Sequence, residues 1–508
     1  MEYGFPIGYE NSDNLSSDKC VQNHKGAAEY PIDIDKYLKK EISNHAVLGP
    51  FHSNPFSHDI VLSPLNSVEK KGSEERRVIL DLSVRGGGGI NGFIDKDCYL
   101  GEAVNLKYPS VDNFVDLIKK KHGKGCYIFK CDLSRAYRQI FIDLHDVHLV
   151  GYSWRNHIYF DRVLSMGLRS AAHICQRVTN SIAYMYRLLG FDIVNYLDDF
   201  AGADTPDRAM RAFTELRTLL NSCGLQESHK KAIHPTTKME FLGILCDTDN
   251  LILEIPIDKL RDIRQILLLW RNKKSAKLRD IQSLVGKLNF LATCVRPGRI
   301  FMCRLLNWLR EVYDQSGFIN VPIFVQKDIN WWLTFLPSYN GISMMMYEEW
   351  SKPDEIFSSD ACMTGCGGWF NGKFFHKVFP AVFINGDFHI NCLELLAIIV
   401  CLKLWAKYFR GLRIRILCDN QIAVTVINTG KSRNLFLQNC LREICYLAAI
   451  YEFEVRAVYL SGTANRLADN LSRWHLGYEF STQFYKSTAC ELEEFFVDDN
   501  IFEFSHSW

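Results

Sequence analysis

Two adjacent aspartates, Asp198 and Asp199, lie inside an otherwise apolar segment that runs from Phe191 to Gly202. Burying ionised carboxylates is costly unless a cation or hydrogen-bond donors compensate them. The pattern therefore predicts a divalent-metal site on a hairpin turn. An isolated Asp pair is equally compatible with a purely structural turn, because turns are rich in aspartate.

A third carboxylate, Asp132, follows the strand-like segment 127–131. Three hard oxygen ligands favour Mg²⁺, with Mn²⁺ as the alternative ion. Two such ions about 3.5–4 Å apart can activate a 3′-hydroxyl and neutralise a pyrophosphate leaving group. The three aspartates together predict nucleotidyl transfer.

A second set of acids lies beyond residue 350. Asp360 and Asp419 each follow a strand-like run, and Glu394 lies in an apolar helical stretch. Asp469 is the fourth member of this set. Helical and strand periodicities of this kind allow several elements to converge on one site. Taken singly, Glu394 is typical of a solvated helix face and Asp419 of a helix N-cap.

The first set of acids resembles the palm of reverse transcriptases. Asp132 matches the first catalytic motif of that family, and segment 196–199 matches its metal-binding turn. The segments 165–172 and 241–243 are similar to a further palm motif and to the primer grip. The order of these motifs, rather than any one of them, distinguishes the match from a structural Asp pair.

The resemblance also implies roles for substrate-binding residues. Lys70-Lys71-Gly72, followed by segment 77–81, is similar to the fingers hairpin of the family, where Lys70 and Arg77 hold the incoming triphosphate. Tyr137 matches the steric gate that selects deoxynucleotides, and Gly167 matches a glycine that lets the backbone approach the nucleotide. Lys231 matches a lysine that protonates the leaving pyrophosphate, with ordinary surface charge as the alternative.

The second set resembles the ribonucleases H of retroelements. Segment 465–473, which contains Asp469, is similar to the last motif of these enzymes. The resemblance implies that Asp360, Glu394, Asp419 and Asp469 hold two Mg²⁺ ions and cleave the RNA strand of an RNA–DNA hybrid. Many relatives carry a histidine shortly before the last aspartate, whereas this chain reads Tyr-Leu-Ser-Gly-Thr-Ala over 459–464. We expect slower turnover with metal binding retained.

The amino-acid sequences of these motifs are most similar to those of the DIRS-type, tyrosine-recombinase-encoding retrotransposons. Gypsy-type retrotransposons and plant pararetroviruses are the next nearest. The resemblance spans roughly residues 50 to 474. It implies RNA template, DNA primer, RNA–DNA hybrid and dNTPs as partners, and a separate recombinase or other integrating enzyme. The sequence makes no prediction of the oligomeric state.

These observations predict an α+β multidomain protein: a right-hand polymerase with fingers, palm and thumb, then a connection and an α/β RNase H-like domain. A chain of 508 residues is long enough for three or four domains. The predicted divisions are a polar, weakly ordered N-terminal extension (1–45), fingers and palm (46–250), thumb and connection (251–350), an RNase H-like domain (351–476) and an acidic aromatic tail (477–508).

Charge and cysteine content are consistent with this interpretation without requiring it. The net charge is only +1, yet thirteen Lys or Arg against two acids lie between Lys259 and Arg310. Apolar residues in 278–291 recur at helical spacing, which predicts a thumb helix with one basic face. The seventeen cysteines lack zinc spacing and are expected to be reduced thiols. No signal peptide or membrane span is predicted, so we expect the cytoplasm, the nucleus or both.

Three functions remain open at this point. The first is a bifunctional enzyme that copies RNA and DNA into DNA and degrades the copied RNA. The second is a non-catalytic nucleic-acid-binding descendant, which would be expected to have lost acids from one set, whereas all seven are present. The third is an assembly part of a larger polyprotein, with the ends of the chain as interaction segments.

Overall fold

A computed structural model describes residues 3–10, 21–70, 76–83, 89–121, 123–295, 298, 300–336, 342–343, 350–351, 356–430, 432–488, 491–506 and 508. The chain divides into two units, Met1–Leu242 and Gly243–Trp508. Lys71 and Gly72 of the predicted fingers hairpin lie outside the described residues.

The first unit contains both helices and short strands. Its helices are α1 (Lys25–Glu29), α2 (Pro31–Ser43), α3 (Val111–Lys120), α4 (Ala171–Leu188) and α5 (Ala209–Ser222). Its strands are β1 (Val47–Phe51), β2 (Leu65–Glu69), β3 (Arg76–Leu80), β4 (Cys98–Tyr99), β5 (Glu102–Ala103), β6 (Tyr127–Asp132), β7 (Gly151–Trp154), β8 (His157–Asp161), β9 (Ile193–Tyr196), β10 (Asp199–Asp204), β11 (Ile233–Thr236) and β12 (Lys238–Phe241).

An antiparallel sheet of order β11-β6-β10-β9 forms the centre of the first unit. Ile128, Phe129 and Cys131 of β6 are buried, as is Phe200 of β10. Gly202 pairs with Phe129 across the two strands, and a Cβ at this glycine would overlap the Phe129 ring. The aromatic core therefore requires glycine at this point and holds β6 and β10 in a fixed register.

The N-terminal region is more ordered than we predicted. Helix α2 buries Ile34 and Leu38, which share one helix face because they are four residues apart. Glu41 on the same helix is 3% exposed and pairs with Arg135 and Arg138. The polar composition of residues 1–45 concealed this short amphipathic face, so the expectation of weak order was wrong for α2.

The second unit is also mixed. Its helices are α6 (Ile257–Arg271), α7 (Leu278–Cys294), α8 (Ile300–Glu311), α9 (Ile323–Phe335), α10 (Ala381–Ile384), α11 (Ile390–Trp405), α12 (Gln421–Thr429), α13 (Leu435–Ile450), α14 (Arg466–Ser472) and α15 (Tyr478–Ser487). Its strands are β13 (Ile244–Asp247), β14 (Ile252–Glu254), β15 (Ser275–Lys277), β16 (Phe318–Asn320), β17 (Ile342–Ser343), β18 (Ser358–Ala361), β19 (Gly365–Phe370), β20 (Lys373–Val378), β21 (Arg413–Cys418), β22 (Glu454–Tyr459) and β23 (Glu493–Glu494).

Helix α7 confirms the predicted amphipathic helix. Ile281, Leu284, Val285, Leu288 and Leu291 are buried along one face, as the spacing of three and four residues requires. Arg279 is exposed, and Lys287 is partly buried. Among the described helices, none combines the length and apolar character needed to span a bilayer.

A six-stranded sheet of order β22-β21-β18-β19-β20-β23 organises the remainder of the second unit. Strands β18, β21 and β22 are parallel neighbours, whereas β19 is antiparallel to both β18 and β20. Helix α11 is buried along most of its length and packs on β18 and β19. The carboxyl ends of the parallel strands therefore meet at one edge, where side chains from separate segments converge.

The end of the chain, within the predicted tail 477–508, packs against helices of its own unit, the second. Trp508 donates its indole N–H to Glu443 at 2.9 Å, and Ser505 bonds the same carboxylate. Lys403 donates to the carbonyl of Ile501 at 3.0 Å. Aromatic and acidic composition alone did not indicate these contacts, because their partners lie on α11 and α13.

Candidate active sites

The first acid cluster consists of Asp132, Asp198 and Asp199, and the structure brings all three together. Asp132 ends β6, Asp199 begins β10, and the two residues are direct cross-strand partners. Asp198 lies on the two-residue turn between β9 and β10, and its carbonyl accepts the Leu133 N–H at 2.9 Å. Directly opposed residues of an antiparallel pair lie on the same face of the sheet.

Two lysines compensate this cluster. Lys231 donates to both oxygens of Asp132, at 2.9 and 3.1 Å. Lys130 donates to Oδ2 of Asp199 at 2.9 Å. The sequence reasoning missed Lys130, although a lysine two residues before Asp132 on a strand must point to the same face.

Burial dominates the protonation of the cluster. Burial raises the pKa of Asp199 to about 6, and Lys130 opposes this rise. Burial, with a contribution from Asp132, also raises the pKa of Asp198. The hydrogen bond to Asp132 raises the pKa of Lys231. Charge compensation at this site is therefore incomplete.

A buried amide holds the turn that carries Asp198. Leu197 has a φ of 52°, which is uncommon for a residue other than glycine. Its N–H donates to Oε1 of Gln176 at 2.8 Å, and Nε2 of Gln176 donates to Asn180 and to the Asn195 carbonyl. Gln176 on α4 therefore fixes the hairpin from below, a role that no sequence pattern indicated.

The structure also places Tyr137 and Gly167. Tyr137 lies in a 3₁₀ turn, Ala136–Gln139, close to Asp198. Burial raises its pKa to about 12, and the nearby Cys175, Tyr108 and Asp198 contribute. Gly167 has a φ of 96°, and its carbonyl accepts from Nδ2 of Asn91 at 2.8 Å. The positive φ explains a glycine at this position.

The predicted triphosphate-binding residues lie on the β2–β3 hairpin. Arg77 pairs with Val68 across the hairpin, and its side chain is exposed. In the described part of the chain, Arg77 makes no ion pair with the first acid cluster. Lys70 directly follows β2 and is partly buried. These two cations therefore belong to a separate element from the acids.

The second acid cluster consists of Asp360, Glu394, Asp419 and Asp469. Asp360 lies on β18, Glu394 on α11 and Asp469 on α14, and Asp419 directly follows β21. Burial raises the pKa of Glu394, and Asp360 and Asp419 raise it further. Burial also raises the pKa of Asp360, with contributions from Asp419 and Asp469. These mutual influences indicate that the four carboxylates share one site.

Ser472 links two members of this cluster. Its hydroxyl contacts Oδ2 of Asp360 at 2.5 Å and the Asp469 carbonyl at 2.9 Å, and the residue is fully buried. Asp469 also pairs with Arg473 one helical turn later, at 2.9 Å. Ser472 thus fixes Asp360 relative to α14, and the motif that contains it gave no indication of this contact.

Both clusters have the properties of cation sites. Oδ1 of Asp199 and Oε2 of Glu394 are buried, and no described residue donates a hydrogen bond to either. Oxygens from Glu394 and Asp419 lie within 4.8 Å of each other. Buried carboxylate oxygens without hydrogen-bond donors fit divalent cations, because such ions offset the cost of desolvation.

The segment without the expected histidine borders the second cluster. A Cβ at Gly462 would lie 3.4 Å from Oδ2 of Asp419. Ser461 and Thr463 hydroxyls are hydrogen-bonded to each other at 3.1 Å. The loop therefore approaches Asp419 through Gly462, without an imidazole.

Residues 92–246 match the family described as "Reverse transcriptase (RNA-dependent DNA polymerase)". The match includes the whole first acid cluster with Tyr137, Gly167 and Lys231. Over these residues the chain is similar to reverse transcriptases. A relative is the "Retrovirus-related Pol polyprotein from transposon opus" of Drosophila melanogaster, 21% identical over 466 residues. This alignment covers 87% of the chain but 42% of the relative, so the chain spans less than half of the relative's length.

Solved structures of foamy viral protease-reverse transcriptase share the fold. The enzyme in complex with dsDNA has a TM-score of 0.53 at 13% identity, covering 90% of this chain and 88% of that chain. A second complex with double-stranded DNA, of the form named dRH, has a TM-score of 0.52 at 13% identity, covering 90% and 74%. The prediction of a reverse transcriptase polymerase followed by a further domain, with mixed helix and sheet, is confirmed.

Proposed function

We propose that this protein is an RNA- and DNA-directed DNA polymerase with ribonuclease H activity, from a retrotransposon of the DIRS type. The observation that carries the proposal is the pairing of Asp132 with Asp199, with Asp198 on the adjacent turn. The second acid cluster, built on four separate elements, supports the hydrolytic activity. The DIRS-type assignment rests on the amino-acid sequences of the motifs.

The residues of the first cluster have distinct tasks in this proposal. Asp132, Asp198 and Asp199 would hold Mg²⁺, or Mn²⁺, which supplies activation of the primer 3′-hydroxyl and charge neutralisation at the triphosphate. Lys231 holds Asp132 and has a proton to donate to the leaving pyrophosphate. Tyr137 would lie under the sugar and exclude a 2′-hydroxyl, since it lies close to Asp198.

Positioning and charge would complete the polymerase site. The open backbone at Gly167, where the nearest atom to an added Cβ is the Leu80 carbonyl at 4.0 Å, leaves room for the nucleotide. Lys70 and Arg77 would hold the triphosphate, because cations stabilise the charge that develops there. Gln176 keeps the Asp198 turn in place.

The second cluster would perform hydrolysis. Asp360, Glu394, Asp419 and Asp469 would hold Mg²⁺, which supplies an activated hydroxide and stabilises the departing 3′-oxygen. Ser472 orients Asp360 through its hydroxyl. Without an imidazole beside Asp419, product release would depend on solvent for proton transfer, so turnover would be slow.

The proposed ligands are an RNA template, a DNA primer, the RNA–DNA hybrid and dNTPs. The structural relatives were solved with double-stranded DNA, and the basic residues of α7, the exposed Arg279 and the partly buried Lys287, suit a phosphate backbone. Integration of the product would require a separate recombinase or other integrating enzyme.

Polymerase activity is tested by extension of a labelled DNA primer on RNA and DNA templates with Mg²⁺ and dNTPs. The proposal predicts extension by the unaltered protein and none by Asp198→Asn. A folded protein that binds the hybrid without extending the primer would instead support a non-catalytic binder.

Hydrolysis is tested with a labelled RNA strand in an RNA–DNA hybrid. We expect cleavage that is lost in Asp469→Asn, and faster steady-state turnover in Ser461→His. Equal rates for Ser461→His and the unaltered protein would remove any role for the missing histidine.

A further inference from the structure

A cysteine thiol accompanies the carboxylates of the second acid cluster. Cys418 is the last residue of β21 and directly precedes Asp419. Its Sγ, one Glu394 oxygen and one Asp419 oxygen all lie within 4.8 Å of one another. These three side chains therefore surround a common point.

A second observation shows that this point suits a cation. Glu394 is 4% exposed, and its Oε2 accepts no hydrogen bond from the described residues. The Asn420 backbone N–H points to Cys418 Sγ at 3.4 Å, so the sulfur faces a hydrogen-bond donor. Asp419 is only half-buried, so an ion can reach the group from its side.

Sulfur changes which ion the group prefers. Mg²⁺ takes oxygen ligands almost exclusively, whereas thiolate ligands select Zn²⁺ and related soft ions. One thiolate with two carboxylates leaves a fourth position open in a tetrahedral arrangement. The group is therefore chemically distinct from a site made of carboxylates alone.

We propose that Cys418, Glu394 and Asp419 form a binding site for a thiophilic divalent ion such as Zn²⁺ or Cd²⁺. On binding, the S–H bond of Cys418 is replaced by a sulfur–metal bond and one proton passes to solvent. No oxidation or reduction is involved. Glu394 and Asp419 are also proposed Mg²⁺ ligands, so the soft ion competes with Mg²⁺; this competition, unlike the binding itself, rests on the proposed function.

The test is titration of the reduced full-length protein with Cd²⁺, followed by the ultraviolet absorbance of the cadmium–thiolate bond. We compare the unaltered protein with Cys418→Ser and with Cys440→Ser. Cys440 lies on α13, is also fully buried and is outside the group. The proposal predicts that Cys418→Ser loses one tight equivalent of Cd²⁺, with at least tenfold weaker binding, and that Cys440→Ser keeps it.

Two results would overturn the proposal. One is an unchanged Cd²⁺ titration in Cys418→Ser; the other is an equal loss in Cys440→Ser. Glu394→Gln provides a second variant should Cys418→Ser fail to fold by circular dichroism, and it should also weaken the Cd²⁺ equivalent. Cys418-dependent Cd²⁺ binding in a protein that cleaves no RNA would retain the metal site and refute the hydrolytic function, so the two failures are distinguishable.

Discussion

Replacing Gln176 by Leu should release the turn that carries Asp198. The change removes the acceptor of the Leu197 N–H and the donor to the Asn195 carbonyl, at 2.8 and 3.0 Å. Gln176 is 2% exposed, so water cannot readily replace it. A buried polar group left without a partner costs about 1–3 kcal/mol. Two such groups lower the local stability of the hairpin by roughly 2–6 kcal/mol.

Hydrogen exchange of the β9–β10 hairpin measures this loss directly. A decrease of this size corresponds to exchange faster by roughly 30- to 25,000-fold at the hairpin amides. Because the turn carries Asp198, primer extension should also slow by about 10- to 100-fold. Asn180→Ala is the matched control, since Asn180 bonds the same amide but is exposed. Unchanged exchange at the hairpin in Gln176→Leu would refute the reasoning.

Three further changes test other parts of the structure. Gly202→Ala should destabilise the protein by about 1–3 kcal/mol, because the added Cβ would overlap Phe129. Gly286→Ala is the control: it has open space in α7 and should be neutral or stabilising. Equal midpoints of urea unfolding for the two variants would contradict this prediction. Asp328→Ala should cost about 3–5 kcal/mol because Arg442, 1% exposed, loses its buried partner, and the exposed Asp314→Ala should cost little in the same urea series. In EDTA, the raised pKa values of Glu394 and Asp360 mean that the folded state holds protons that the unfolded state releases. The melting temperature should therefore fall as the pH rises from about 5 to about 8. Glu394→Gln should flatten this slope, and an unchanged slope in that variant would contradict the prediction.

Local sequence patterns predicted the secondary-structure elements better than they predicted the contacts between those elements. The apolar strands around Asp132 and Asp199 predict a hairpin site because strand alternation and turn chemistry act over a few residues. The facing of Asp132 and Asp199 follows from the register, which Gly202 and Phe129 hold. Helix α7 was likewise evident from its spacing.

Contacts between distant segments could not be obtained in this way. Gln176 meets Leu197 only because α4 packs beneath the turn, and Ser472 reaches Asp360 from a helix 112 residues later. The bond between Trp508 and Glu443 depends equally on tertiary packing. No sequence periodicity encodes such pairs, since each partner alone has an ordinary residue type for its position.

The two acid clusters are proposed to act as independent sites with different chemistry. A single RNA–DNA hybrid with labels on both strands measures primer extension and RNA cleavage together. We predict that Asp198→Asn abolishes extension and retains cleavage, and that Asp360→Asn retains extension and abolishes cleavage. Loss of both activities in each folded variant, or of neither, would contradict it.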